Sequence, residues 1–186
     1  MKNLNLRALG GLLQMMVFLT VLVFLPAWTV HYWQGWTCLL VFFACAAGIT
    51  LHLMNHDPAL LERRMSAGAS AEKEKSQKVI QALSLIAFIA LFVVSSLDHR
   101  FAWSPVPAVA EAGGDALIVL GFVLVFLVFK ANSFTSGIIE VAADQRVVST
   151  GPYGLVRHPM YLGALIILIG IPMALGSWWE KSRLCR

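Results

Sequence analysis

Charged side chains are scarce in this sequence. They make up 13% of its 186 residues, about half the share found in soluble globular domains, while hydrophobic residues reach 59%. That balance excludes an ordinary soluble globule and a disordered chain, both of which need a polar surface. Cysteine is sparse too: there are three, so a disulfide framework is excluded. Cys38 and Cys45 are seven residues apart inside one apolar block and read as small buried residues. Cys185 is next to last and so forms no prenylation box. Five histidines are too few for the several histidine boxes of a membrane di-iron site, and His52 with His56 reads as an interfacial pair, so no metal is expected. No G-x-G-x-x-G and no G-x-S-x-G occurs, which removes a dinucleotide-binding turn and a nucleophile elbow.

What the chain does have is apolar residues gathered in blocks. Five stand out, at 9–30, 36–54, 79–97, 116–129 and 160–179, to be set against the roughly 20 residues that cross about 30 Å of hydrocarbon. The expectation is an all-α, polytopic integral membrane protein with four firm spans and a fifth that is broken or re-entrant at Gly170 and Pro172. No small-x-small cleavage site follows the first block, so it reads as an uncleaved span. Residues 1–56 form a first helical hairpin in this reading, and residues 57–186 a second unit. Trp28, Tyr32, Trp33 and Trp36 predict an aromatic belt between the first two spans. Ala44, Ala46, Ala47 and Gly48 predict helix-packing contacts. Asp57-Pro58 predicts an N-cap with Pro at N1, opening a short interfacial helix with Leu60, Leu61 and Met65 inward. Glu62, Arg63 and Arg64 read as a solvated strip facing the headgroups. Residues 98–115, with Pro105, Pro107 and Gly113-Gly114, read as a loop, in which His99 caps the chain on the far side.

The net charge is +4, but the basic residues flank apolar blocks, which is the pattern of membrane topology and excludes a nucleic-acid partner. Lys2 and Arg7 precede the first span. Arg63, Arg64, Lys73, Lys75 and Lys78 lie between the second and third, and Lys130, Arg146 and Arg157 between the fourth and fifth. Only Arg100 lies between the third and fourth. This alternation predicts a cytoplasmic N-terminus and cytoplasmic long loops. Lys181, Arg183 and Arg186 break it, because a fifth full span would leave them outside.

Chemistry concentrates in residues 151–163. Gly151-Pro152 makes a turn, and Pro159 opens a helix with His158 at its N-cap. The free N–H groups of such a helix start bind anions. Arg157 adds a positive charge suited to carboxylate or phosphate. Tyr153 and Tyr161 offer flat faces to a purine or a cation, and Gly163 permits close approach of a backbone or a ligand. These residues alone leave a second reading open, in which Arg157 binds lipid phosphate and the tyrosines form an aromatic belt.

The string Val156-Arg157-His158-Pro159-Met160-Tyr161-Leu162-Gly163 resembles the V-R-H-P-x-Y-x-G signature of the membrane-embedded isoprenylcysteine carboxyl methyltransferase and phospholipid methyltransferase group. Asp57 to Arg63, Leu97 to Phe101 with Trp103, Asn132-Ser133-Phe134 and Gln145 to Val148 also look like bacterial members, so the resemblance covers roughly residues 57–179. It implies S-adenosylmethionine-dependent methyl transfer at the cytoplasmic membrane face, to a lipidic or small carboxylate, amine or thiol acceptor. It assigns Tyr153, Val156, Arg157, His158, Pro159, Tyr161 and Gly163 to cofactor binding, with His158 and Tyr161 on the adenosine or methionine part. Arg157, the expected catalytic residue, orients a carboxylate of cofactor or substrate. Family members continue into a tail with a paired Glu motif, whereas Glu180 stands alone here. The expectation is therefore a truncated or frameshifted member, and the alternative function is a small non-catalytic membrane protein, a remnant of such an enzyme.

Overall fold

The computed structural model describes residues 2–65, 75–104, 106–132 and 150–177, which are helical, with no strand among them. Among the described residues six α-helices follow one another: α1 (Lys2–Ala27), α2 (Trp33–His56), α3 (Pro58–Met65), α4 (Lys75–Phe101), α5 (Ala108–Ala131) and α6 (Pro159–Ala174). A 3-10 turn at Gly151–Gly154 precedes α6. Four of these, α1, α2, α4 and α5, are long and apolar enough to cross a membrane, and α6 is a shorter apolar helix. At 1.5 Å per residue, the 26 residues of α1 reach about 39 Å and the 16 of α6 about 24 Å.

The helices alternate in direction, so the bundle has two ends. At one end, Ala8 of α1, Leu53 of α2, Leu60 and Leu61 of α3 and Phe129 of α5 form an apolar cluster, with Met65 and Met160 against it. This is the motif end. The main core, from Leu19, Val23, Phe42, Phe92, Ile118 and Ile171 down to Tyr32 and Leu175, fills the middle and the far end.

Asp57 does what its position before Pro58 dictates. Its N–H closes α2 onto Leu53 O at 2.9 Å, and its Oδ1 accepts the N–H of Leu60 at 3.0 Å. That cap is worth about 1 kcal/mol. It points Leu60 and Leu61 into the cluster, as expected.

Other expectations change. Residues 98–115 are not a loop throughout: α4 runs on to Phe101 and α5 begins at Ala108, so Gly113 and Gly114 lie inside a helix. Gly114 is there because α6 is pressed against it. A Cβ on Gly114 would lie 2.3 Å from Ala174 N and 2.8 Å from Gly170 O, and one on Gly121 would lie 2.7 Å from Gly163 O. Gly114 and Gly121 thus face Gly170 and Gly163 along one antiparallel seam. Of the small residues of α2, Ala44 and Gly48 do not play this part, since both are exposed and nothing lies within 4 Å of a Cβ on Gly48. The fifth apolar block is set apart by its shortness: α6 continues through Gly170 and Pro172 and turns only after Ala174, where Gly176 has φ +68°.

Tyr32 is fully buried rather than part of an aromatic belt. Its hydroxyl donates to Leu175 O at 2.5 Å and its ring stacks on His99 at 3.8 Å, so His99 sits in the last turn of α4 instead of capping a loop. Beside it, buried Asp98 accepts hydrogen bonds from Ser104 and, at 2.6 Å, from Ser177 Oγ. Gln34 Nε2 donates to buried Glu111 Oε1 at 3.0 Å. This polar knot anchors the chain after α6 to α2, α4 and α5.

Candidate functional site at the motif end

α5 ends at Asn132, whose N–H bonds Val128 O at 2.9 Å. The 3-10 turn packs on that end. Gly151 has φ +61°, a left-handed conformation that favours glycine, and Ala131 lies 3.6 Å from where its Cβ would be. Asn132 Nδ2 donates to the hydroxyl of Tyr153 at 3.4 Å. Pro152 O accepts the N–H groups of Leu155 and Val156 at 3.2 and 3.1 Å, which compacts the turn and leaves Leu155, Val156, Arg157 and His158 exposed.

α6 then starts as expected, with His158 at the N-cap and Pro159 in the first turn. The His158 side chain makes no cap bond, and the first helical bond runs from Leu162 N–H to His158 O at 3.2 Å. Helix geometry leaves the N–H groups of Met160 and Tyr161 without an intrahelical acceptor. The His158 and Tyr161 rings stand 5.7 Å apart, tilted by 41°, and Tyr161 is 73% exposed. Arg157, His158 and Tyr161 therefore present a cation, an imidazole and a phenol to the outside of one helix start. Val156 contributes an exposed apolar side chain to the same edge.

Pro159 and Gly163 differ from these. Both are buried, and a Cβ on Gly163 would meet Val125 Cγ2 at 2.9 Å and Gly121 O at 3.1 Å. The close approach expected at Gly163 is that of α5, so within the signature Gly163 serves the helix seam. Met160 packs against the apolar cluster that contains Leu60, Leu61 and Phe129.

One neighbour was read differently from the sequence. Arg64 is half-buried, with its guanidinium carbon 5.3 Å from the centroid of Phe129. It does not belong to a solvated strip with Glu62 and Arg63, which are exposed. Burial holds its pKa below the ordinary guanidinium value. The signal that could have found it is the helical period: Leu60, Leu61 and Arg64 share a face at i, i+1 and i+4. Nearby on α5, Lys130 lies 5.9 Å over Phe126, and on α2 His52 stacks on His56 at 4.3 Å. Among the described residues no group of His, Cys, Asp and Glu forms a metal site. Ser133, Phe134, Gln145 to Val148 and Glu180 lie outside the described residues.

Residues 109–185 match the family model of phospholipid methyltransferase. No curated protein matches the chain, and no solved structure does. The matched stretch takes in nearly all of α5, the motif turn and α6. That part of the chain, less than half of its length, is similar to the phospholipid methyltransferase family, and the match supports methyl transfer in a membrane setting.

Proposed function

We propose that the chain transfers a methyl group from S-adenosylmethionine to a lipidic or small carboxylate, amine or thiol acceptor. In this reading Tyr153, Val156, Arg157, His158 and Tyr161 meet the cofactor, and buried Pro159 and Gly163 complete the site by positioning them. The observation that carries the proposal is the coincidence of the family match with the exposed cluster of Arg157, His158 and Tyr161 at the start of α6. The residues suit the group chemically. S-adenosylmethionine carries a purine, a carboxylate and a sulfonium, and when bound it supplies an electrophilic methyl group. Arg157 offers a fixed positive charge to a carboxylate, with the free N–H groups of Met160 and Tyr161 beside it. The His158 and Tyr161 rings offer flat faces to a purine or a cation. Pro159 and Gly163 hold these groups in place through α6, and Tyr153 is oriented by Asn132.

The same reading takes residues 57–186 as the methyltransferase-like unit and residues 1–56 as its flanking hairpin. It places the motif end at the cytoplasmic face of a bacterial inner membrane. Supporting this, Arg7, Arg63, Arg64, Lys75, Lys78, Lys130 and Arg157 all fall at that end by the alternation of the helices, with only Arg100 at the other among the described residues. A site at the membrane surface lets a lipidic acceptor approach from the bilayer and limits water around the reacting groups.

The test is equilibrium binding of labelled S-adenosylmethionine to the detergent-purified chain and to Arg157→Ala. Saturable binding that Arg157→Ala abolishes, at unchanged expression and helicity, is the expected result. Absence of binding by the helical wild-type chain, or unchanged binding in the variant, would reject the assignment.

A further inference from the structure

Arg64 is held in an unusual setting for a guanidinium at a membrane surface. The Asp57 cap fixes the start of α3, and burial of Leu60 and Leu61, 0% and 5% exposed, fixes its rotation. This leaves Arg64 turned inward over Phe129, which is itself buried. The guanidinium has five N–H donors. Among the described residues no carboxylate pairs with it, and it lies over the aromatic face of Phe129. The acids near it on the chain are otherwise placed: Asp57 Oδ1 takes the Leu60 N–H, and Glu62 is exposed. Arg100, the arginine of the far end, also lies over aromatic rings, at 5.5 and 5.4 Å from Trp28 and Phe101, but keeps its head exposed.

Half-burying a cation without an anion costs free energy that packing on one ring recovers only in part. The planar fork of a guanidinium matches the two oxygens of a carboxylate or phosphate. Phe129 under Arg64 and Met160 of the motif belong to one cluster, so Arg64 and the motif lie at the same end of the bundle.

We propose that Arg64 is a further binding residue of the motif end, which takes an oxyanion, the phosphate of a lipid headgroup or the carboxylate of the cofactor. This rests on the reading of the motif end as a cofactor and acceptor site, and it extends that site onto α3, outside the matched residues 109–185.

The test uses two matched pairs of probes on the detergent-purified chain. Dihexanoyl phosphatidic acid against dihexanoylglycerol isolates a lipid phosphate; S-adenosylmethionine against its decarboxylated form isolates the cofactor carboxylate. In the wild type, one pair should show the anion bound about tenfold or more tightly than its counterpart, the scale of a charge-assisted bidentate contact. Arg64→Gln should lower that ratio several-fold, and Arg64→Lys should lower it less, with helicity unchanged in both. The pair that responds names the source of the anion. No anion preference in either pair for the wild type, or a preference undiminished in Arg64→Gln, would overturn the proposal. If the wild type ignores S-adenosylmethionine yet keeps an Arg64-dependent preference for phosphatidic acid, the methyl-transfer reading fails while the role of Arg64 stands.

Discussion

Two adjacent glycines of α5 should respond to the same substitution with opposite signs. At Gly114, a methyl group would lie 2.3 Å from Ala174 N, 2.8 Å from Gly170 O and 2.8 Å from Met173 C. Non-bonded carbon contacts are optimal at about 3.5–4.0 Å, so the overlap is about an ångström, and it is with the backbone of another helix, which has no rotamer to escape into. Gly114→Ala must push α5 and α6 apart. Overpacking of this kind costs roughly 1–3 kcal/mol, of which the better helix propensity of alanine offsets about 1 kcal/mol. A backbone clash belongs at the upper end of that range, so the net loss is about 2 kcal/mol. At Gly113 nothing lies within 4 Å of the added Cβ. Only the propensity gain remains there, about 1 kcal/mol in favour of the fold. The two variants should therefore differ by about 3 kcal/mol, or about 6–12 °C in melting temperature for a chain of this size. Helicity followed by circular dichroism in one detergent measures this, with Gly48→Ala, also in open space, as a second control. Shifts of the same sign at Gly113 and Gly114 would refute the α5–α6 seam.

Further outcomes follow from the same geometry. Asp57→Ala should lower stability by about 1 kcal/mol through loss of the cap on Leu60 N–H, read in the same melts. Tyr32→Phe should cost roughly 1–3 kcal/mol, because it leaves Leu175 O buried without its donor. Burial first, then the charges of Cys38, Asp98 and Glu111, push the Tyr32 hydroxyl far above its ordinary value. Its contribution should be complete below the unfolded-state value near pH ~10 and lost progressively above it; wild-type melting temperature should fall there, and Tyr32→Phe should fall less. Arg157→Ala should abolish binding of labelled S-adenosylmethionine with helicity intact, and Arg64→Gln should remove only the preference for an anionic probe.

The spans and the capped start of α3 were legible because each depends on a local property. A run of apolar residues must be buried in lipid or protein, and Asp57-Pro58 satisfies the first N–H groups of a helix wherever it stands. What escaped the sequence depends on partners distant along the chain. Gly113-Gly114 reads locally as a break, and only the approach of Ala174 and Gly170 makes a helix with glycine at that point the stable choice. Tyr32 carries the same aromatic signal as Trp28 and Trp36, and its burial is decided by Leu175 and His99, more than sixty residues away in sequence. Arg64 looks like its neighbour Arg63 until the cap and the burial of Leu60 and Leu61 fix the rotation of α3.

The signature itself divides into two kinds of residue once its surroundings are known. Arg157, His158 and Tyr161 are exposed and free to meet a ligand, whereas Pro159 and Gly163 are buried and define where α6 begins and how closely it lies on α5. A ligand-facing role therefore does not extend to every position of the string. Gly163→Ala brings a methyl to 2.9 Å from Val125 Cγ2, a side chain that can adjust, and to 3.1 Å from Gly121 O, a backbone atom that cannot do so alone. Its effect should appear first as a loss of stability, milder than that of Gly114→Ala, and only through that loss as weaker binding. Arg157→Ala should behave in the reverse order. The order in which stability and binding fail thus separates residues that build the end of the bundle from those that use it.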